Sequence, residues 1–188
     1  DDDLQADMYL WMVERLEQLG YHQYEISNFA RPGFASRHNT KYWTLSEYAG
    51  FGPGAHSDFG EVRYAYGRDL MGYLTGVEQG TLRVSQSETI PLRERDTEYI
   101  MLSLRTAEGI SQYAFEHTFR QRFAPLERVL EKYEALGCAA RTGRGWRLTS
   151  KGFLLSNTII TDLWEANGAE KVRRQQAAAR GDFRIVLP

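Results

Sequence analysis

Apolar residues recur at helical spacing from the start of the chain. Leu4, Met8, Trp11, Met12, Leu16 and Leu19 mark one side of a helix that opens at Asp2 or Asp3. Those aspartates suit the positive end of its dipole, and Gly20 supplies a left-handed stop. Tyr21 to Phe29 then alternates and is rich in β-formers, which predicts a strand. Helix, glycine turn and strand make one step of an α/β layer. A single step cannot bury itself, so sheet edge and apolar surface are expected to lie open near residues 21–29 and 48–57.

Arg31-Pro32-Gly33 ends that strand in a loop, and Ser36 to Tyr48 is aromatic and polar, with a short helical turn expected around His38 to Trp43. Tyr48 to Ser57 reads as a buried strand broken by Gly50, Gly52, Pro53 and Gly54. Val62 to Tyr66 reads as another strand, and Asp69 to Gln79 as a helix with Leu70, Tyr73, Leu74 and Val77 on one face. Ser85 to Arg93 is polar, contains Pro91 and reads as a linker.

A second module follows. Arg95 to Leu104 begins it with a helix that ends near Gly109, Ser111 caps the next, and Pro125 opens a third that Gly137 stops. Cys138 to Leu148 is a hairpin turned on Gly143 and Gly145, and Thr149 caps a closing helix. Three helices, a glycine-turned ribbon and a further helix is the order of a winged-helix-like module. The chain therefore divides into 1–84, 85–164 and a frayed or disordered tail over 165–188.

With 188 residues, 42% hydrophobic and 26% charged, the chain has the make-up of an ordinary globular protein. A net charge of −2 gives no general pull toward nucleic acid. Arg141, Arg144, Arg147 and Lys151 form a basic ribbon, but Glu127, Glu131 and Glu134 on the preceding helix oppose it. Solvated charge is the reading this favours over a nucleic-acid contact. Cys138 is the single cysteine, so no internal disulfide forms and a reducing compartment, the cytoplasm, is expected. One cysteine also cannot build an iron–sulfur site. The first residues, Asp1-Asp2-Asp3, enter a helix without an initiator Met, and a piece of a longer chain is expected.

The candidate chemistry gathers between Tyr24 and Ser57. His38 and Tyr42 stand four apart and share a face if the segment is helical. A neutral imidazole can ligate haem iron, and Tyr42 and Trp43 can lie against a flat macrocycle. Equally, His38 and Asn39 can tie a loop to the backbone while Trp43 fills the core, and spacing alone leans to this second reading. His56 reads as the end of the glycine-rich strand, facing a ligand or simply hydrogen-bonded. Tyr24 and Glu25 alternate along the first strand, placed either toward a nucleotide or as a cross-strand pair and a surface carboxylate.

The stretches YEISNFARPG, SRHNTKYW and GFGPGAHS, with LEKYEALG and WRLTSKGFLLSNTII further on, resemble the radical SAM family. Within it the likeness is to the group joining the haem chaperone HemW with oxygen-independent coproporphyrinogen III oxidase. The HNxxYW motif, His38 to Trp43, points to the chaperone side. The resemblance runs from about Leu4 to about Trp164. It implies an α/β fold: the last strands and helices of a partial (β/α) barrel, then a winged-helix-like domain. His38 is implied as the haem-contacting residue and iron ligand, with Asn39, Tyr42 and Trp43 completing the motif, and Tyr24, Glu25 and His56 near the barrel's open end. Implied partners are haem, a haem-acceptor protein (membrane-associated acceptors included) and the missing N-terminal barrel half. A 4Fe–4S cluster and S-adenosylmethionine belong to that missing half, so no catalysis is expected of this chain alone. Coproporphyrinogen oxidation and a nucleic-acid-binding winged helix are the alternatives.

Overall fold

The computed structural model describes residues 1–180. Its first helix, α1 (Asp2–Gln18), is capped by Asp1 rather than by Asp2 or Asp3: the Asp1 carboxylate accepts from the Asp3 N–H at 3.2 Å, which leaves Asp2 and Asp3 in the first turn. The expected strand over 21–29 is instead a hairpin, β1 (His22–Glu25) against β2 (Asn28–Ala30), with His22 opposite Ala30. The tight turn at Ile26-Ser27 divides the run, a reversal that alternation alone does not announce. Next come α2 (Arg37–Trp43), β3 (His56–Phe59), β4 (Val62–Tyr66) and α3 (Leu70–Glu78), the last capped by Asp69. The buried strand expected over 48–57 is mostly irregular. Only Tyr48 is bridged, to Asp58, while the glycines turn the chain before β3 begins.

Ser85 to Arg93 is not a linker. It holds β5 (Val84–Thr89), the third strand of an antiparallel sheet in the order β3-β4-β5, followed by a 3₁₀ turn at Leu92–Glu94. All six residues of β5 are exposed, so its polar sequence gave no strand signal; pairing with β4 forms it.

The winged-helix-like order holds. Helices α4 (Asp96–Ser103), α5 (Gln112–Phe119) and α6 (Ala124–Ala135) surround a sheet of β6 (Ile110–Ser111), β7 (Ala139–Thr142) and β8 (Gly145–Leu148), in the order β6-β8-β7. Ser111 and Thr149 cap the helices after them, accepting from the N–H groups of Ala114 and Gly152. The main core lies in this module. Ile100, Leu104, Phe115, Phe123, Leu126, Trp146 and Ile159 are almost wholly buried, whereas Val13 and Ala65 are the buried hydrophobic residues of the first 89. Mixed helix and strand is thus the class expected, and the described strands close no barrel.

The closing helix is split into α7 (Ser150–Leu154) and α8 (Ser156–Ala179). The tail expected to fray after Trp164 is helical as far as Ala179, and its last residues, 181–188, lie outside the described residues. Side chains pin the extra turns. Asn167 and Lys171 both donate to the buried Asp96 carboxylate of α4, and Arg174 donates to the Arg120 carbonyl at 2.9 Å.

On the other side of the molecule apolar residues stand open, as the unpartnered step implies. Tyr21, Phe51 and Phe59 are exposed, and so are Leu4, Met8 and Trp11 of α1.

Candidate functional site

Helix α2 carries the HNxxYW motif on two turns. The Ser36 hydroxyl accepts from the Asn39 N–H at 3.3 Å, and the Thr40 hydroxyl donates back to the Ser36 carbonyl at 2.8 Å. A helix this short is marginal alone. None of its residues is fully buried, so it rests on half-buried Asn39 and Trp43 rather than on a core of its own.

Its outer face holds the imidazole. His38 Nε2 and the Tyr42 hydroxyl are 3.0 Å apart, and the two rings meet edge-on at 5.1 Å between centroids. Tyr42 in turn packs edge-on against Tyr48 at 4.7 Å. Tyr48 is fixed by a pair of backbone hydrogen bonds with Asp58, each 2.9 Å. Burial, then the nearby Asp58 charge, raises the Tyr48 hydroxyl above its ordinary pKa. His38 is therefore exposed yet oriented, through a chain of rings anchored in the sheet.

The inner face holds the indole. Thr40, Trp43 and Thr44 border a cleft of 540 Å³ whose other walls include Tyr24, Tyr99 and Tyr113, with Arg144 and Glu108 among its lining. Tyr24 is delivered there by backbone pairing between β1 and the loop after α4: the Ala107 N–H donates to the Tyr24 carbonyl at 3.1 Å, and Ile26 N–H to Arg105 at 2.8 Å. The motif is thus split by its own helix, with His38 and Tyr42 on one side and Trp43 on the other.

Two further expected residues stand elsewhere. Glu25 alternates away from Tyr24 and is 1% exposed; Oε2 accepts from the Ser27 N–H at 3.3 Å, and Oε1 has no hydrogen-bond partner among the described residues. It is neither a surface carboxylate nor part of the cleft lining. His56 begins β3 rather than ending a strand, pairs with Ala65, and borders a separate 300 Å³ hollow with Arg63 and Glu88. Sequence reasoning missed Tyr48, Tyr99 and Tyr113, since aromatic residues in helices and loops read as core. On the ribbon, Arg141 is held by Glu127 at 2.8 Å and Glu131 at 2.7 Å and lies over Trp146 at 4.4 Å. That engagement removes the most obvious cation from any nucleic-acid surface.

Cys138 is buried, and the described residues contain no group of three His, Cys, Asp or Glu side chains able to hold a metal ion. These residues do not fit an iron–sulfur cluster.

Residues 90–155 match the family model described as the HemN C-terminal domain. The heme chaperone HemW of Bacillus subtilis is 31% identical over 157 residues, covering 83% of this chain and 41% of that protein. The chain belongs to the HemW and coproporphyrinogen III oxidase-like family. HemW of Lactococcus lactis is 32% identical over 161 residues, covering 85% of the chain and 42% of its own length. Mouse mitochondrial radical S-adenosyl methionine domain-containing protein 1 is 31% identical over 183 residues. Among solved structures, Escherichia coli coproporphyrinogen III oxidase HemN, a radical SAM enzyme, superposes with a TM-score of 0.61 at 18% identity, covering 84% of this chain and 40% of that one. The chain spans about two fifths of the length of the HemW relatives it matches. At 18% identity the HemN likeness establishes fold alone. No helix among the described residues is long and apolar enough to cross a membrane.

Proposed function

We propose that this chain is the haem-handling part of a HemW-like protein, which binds haem in the cytoplasm and passes it to an acceptor protein. The observation that carries the reading is His38: exposed, on the outer face of α2, and oriented by Tyr42 at 3.0 Å. An imidazole that keeps a nitrogen available is an axial ligand for haem iron. Tyr42 and Tyr48 flank it with aromatic surface that suits a flat macrocycle. The similarity to the heme chaperones HemW of Bacillus subtilis and Lactococcus lactis supports the same reading. The 4Fe–4S cluster and S-adenosylmethionine of the family are held by residues other than these. The coproporphyrinogen-oxidase alternative has the shared fold behind it and no residue of this site.

The test is a haem titration of the 188-residue chain followed by the Soret band. His38→Ala is expected to abolish the ligated spectrum and weaken binding at least tenfold. An unchanged spectrum and affinity would remove the assignment.

A further inference from the structure

Helix α2 has two faces, and His38 and Tyr42 occupy one. Its inner face borders the 540 Å³ cleft, within the roughly 300–1,000 Å³ of small-molecule sites. Successive helical residues turn by about 100°, so Trp43 and Thr40 point away from His38 and Tyr42. A ligand in the cleft therefore does not meet the imidazole.

The cleft has aromatic walls and a cationic rim. Trp43, Tyr24, Tyr99 and Tyr113 supply ring surface from four different elements, α2, β1, α4 and α5. Tyr113 is held as a firm wall by stacking on His117, 3.8 Å between centroids and 26° between planes. Tyr99 is placed by its packing on Phe119 at 5.3 Å and by accepting from the Ser111 N–H at 3.3 Å. At the rim, Arg144 is 80% exposed, and its ion pair is a 3.9 Å approach to the equally exposed Glu108. So loose a contact leaves the guanidinium fork open to a carboxylate, in contrast to neighbouring Arg141.

We propose that this cleft is a second ligand site, for a planar aromatic carboxylate of the porphyrin class, with Arg144 taking the carboxylate and Trp43 the ring. The choice of porphyrin rests on the haem reading; the cleft, its rings and its cation do not. The site needs no iron and no His38, which separates it from axial ligation on the outer face.

The test is fluorescence titration of the 188-residue chain with metal-free protoporphyrin IX, a dicarboxylate that offers no iron. Binding is expected. Arg144→Gln should weaken it about tenfold, the scale of one charged hydrogen bond. Glu108→Gln should tighten it about threefold by lifting an exposed repulsion, a gain that misfolding cannot imitate. His38→Ala should leave it unchanged, and the dimethyl ester should bind without dependence on Arg144. No binding, an Arg144→Gln variant equal to the parent chain, or loss on His38→Ala would each overturn the cleft site. If haem ligation fails while protoporphyrin binds through Arg144, the cleft stands and the outer-face reading falls; the converse result reverses that.

Discussion

Arg95 donates to Asp58 at 2.7 Å across the junction of the β3-β4-β5 sheet and α4, and both side chains are nearly sealed from solvent. Arg63 donates to the same carboxylate oxygen at 3.0 Å and to Glu98 at 2.7 Å. Two cations and two acids thus join the segment bearing the site to the module holding the core. Burial alone would raise the Asp58 carboxyl, but the hydrogen bonds and charges of Arg95 and Arg63 outweigh it and hold the pKa below the ordinary carboxylate value. Asp58→Asn leaves Arg95 buried without its counter-charge and is expected to cost about 3–5 kcal/mol in urea unfolding. Because the folded pKa is depressed, this stabilisation is present above the ordinary Asp range and fades as pH falls through the lower folded value. The variant should show a flatter acid limb than the parent chain.

Tyr133 on α6 donates to Asp162 on α8 at 2.7 Å. That hydrogen bond, then burial, pushes its hydroxyl up to about 12. The contribution is complete below the ordinary tyrosine value near pH 10 and is lost as pH climbs toward the raised one. Ultraviolet titration should find Tyr133 among the last tyrosines to ionise. Tyr133→Phe should lower stability by about 1 kcal/mol at neutral pH and remove that late step.

Asp96 is 1% exposed and depends on α8 for its partners, Asn167 and Lys171. Asn167 is as buried as Asp96, whereas the Lys171 side chain is 40% exposed. Asn167→Leu should cost about 2 kcal/mol by removing a buried hydrogen bond to a charged carboxylate, and Lys171→Met less, since solvent screens that cation. Both losses should appear in thermal unfolding and in faster proteolysis of α8 beyond Trp164.

Ligation of iron through His38 Nε2 must break the contact with Tyr42. A neutral hydrogen bond is worth about 1 kcal/mol net, so Tyr42→Phe should bind haem about fivefold more tightly with the ligated Soret band retained. No gain in the same titration would assign the iron to Nδ1.

Gly152 lies in the first turn of α7, and a Cβ there would run into the Cys138 carbonyl, which itself accepts from the Thr149 N–H at 3.0 Å. Neither backbone group can yield. Gly152→Ala should destabilise by about 1–3 kcal/mol through overpacking, measured by urea unfolding, although alanine is the better helix former.

The sequence was most legible where the signal is local. Ser111 and Thr149 each announce a helix and each accepts the N–H its position requires. The glycine-turned ribbon reads the same way. It was least legible where distant partners make the structure. Exposed β5 carries no alternation to detect, and α8 persists past Trp164 because Asp96, about seventy residues earlier, holds it. In the site, the His38–Tyr42 pair followed from a four-residue spacing. The cleft did not, because Trp43, Tyr99 and Arg144 meet through packing between modules. Glu25 shows the same limit: period-two alternation separated it from Tyr24, but burial placed it inside rather than on the surface.

Helix α1 runs for seventeen residues and buries Val13 alone, leaving Trp11 67% and Met8 62% exposed. A greasy rib of that length seeks cover in water. Handled in isolation, the chain should cling to hydrophobic resins and self-associate as it is concentrated, and mild detergent should reverse both.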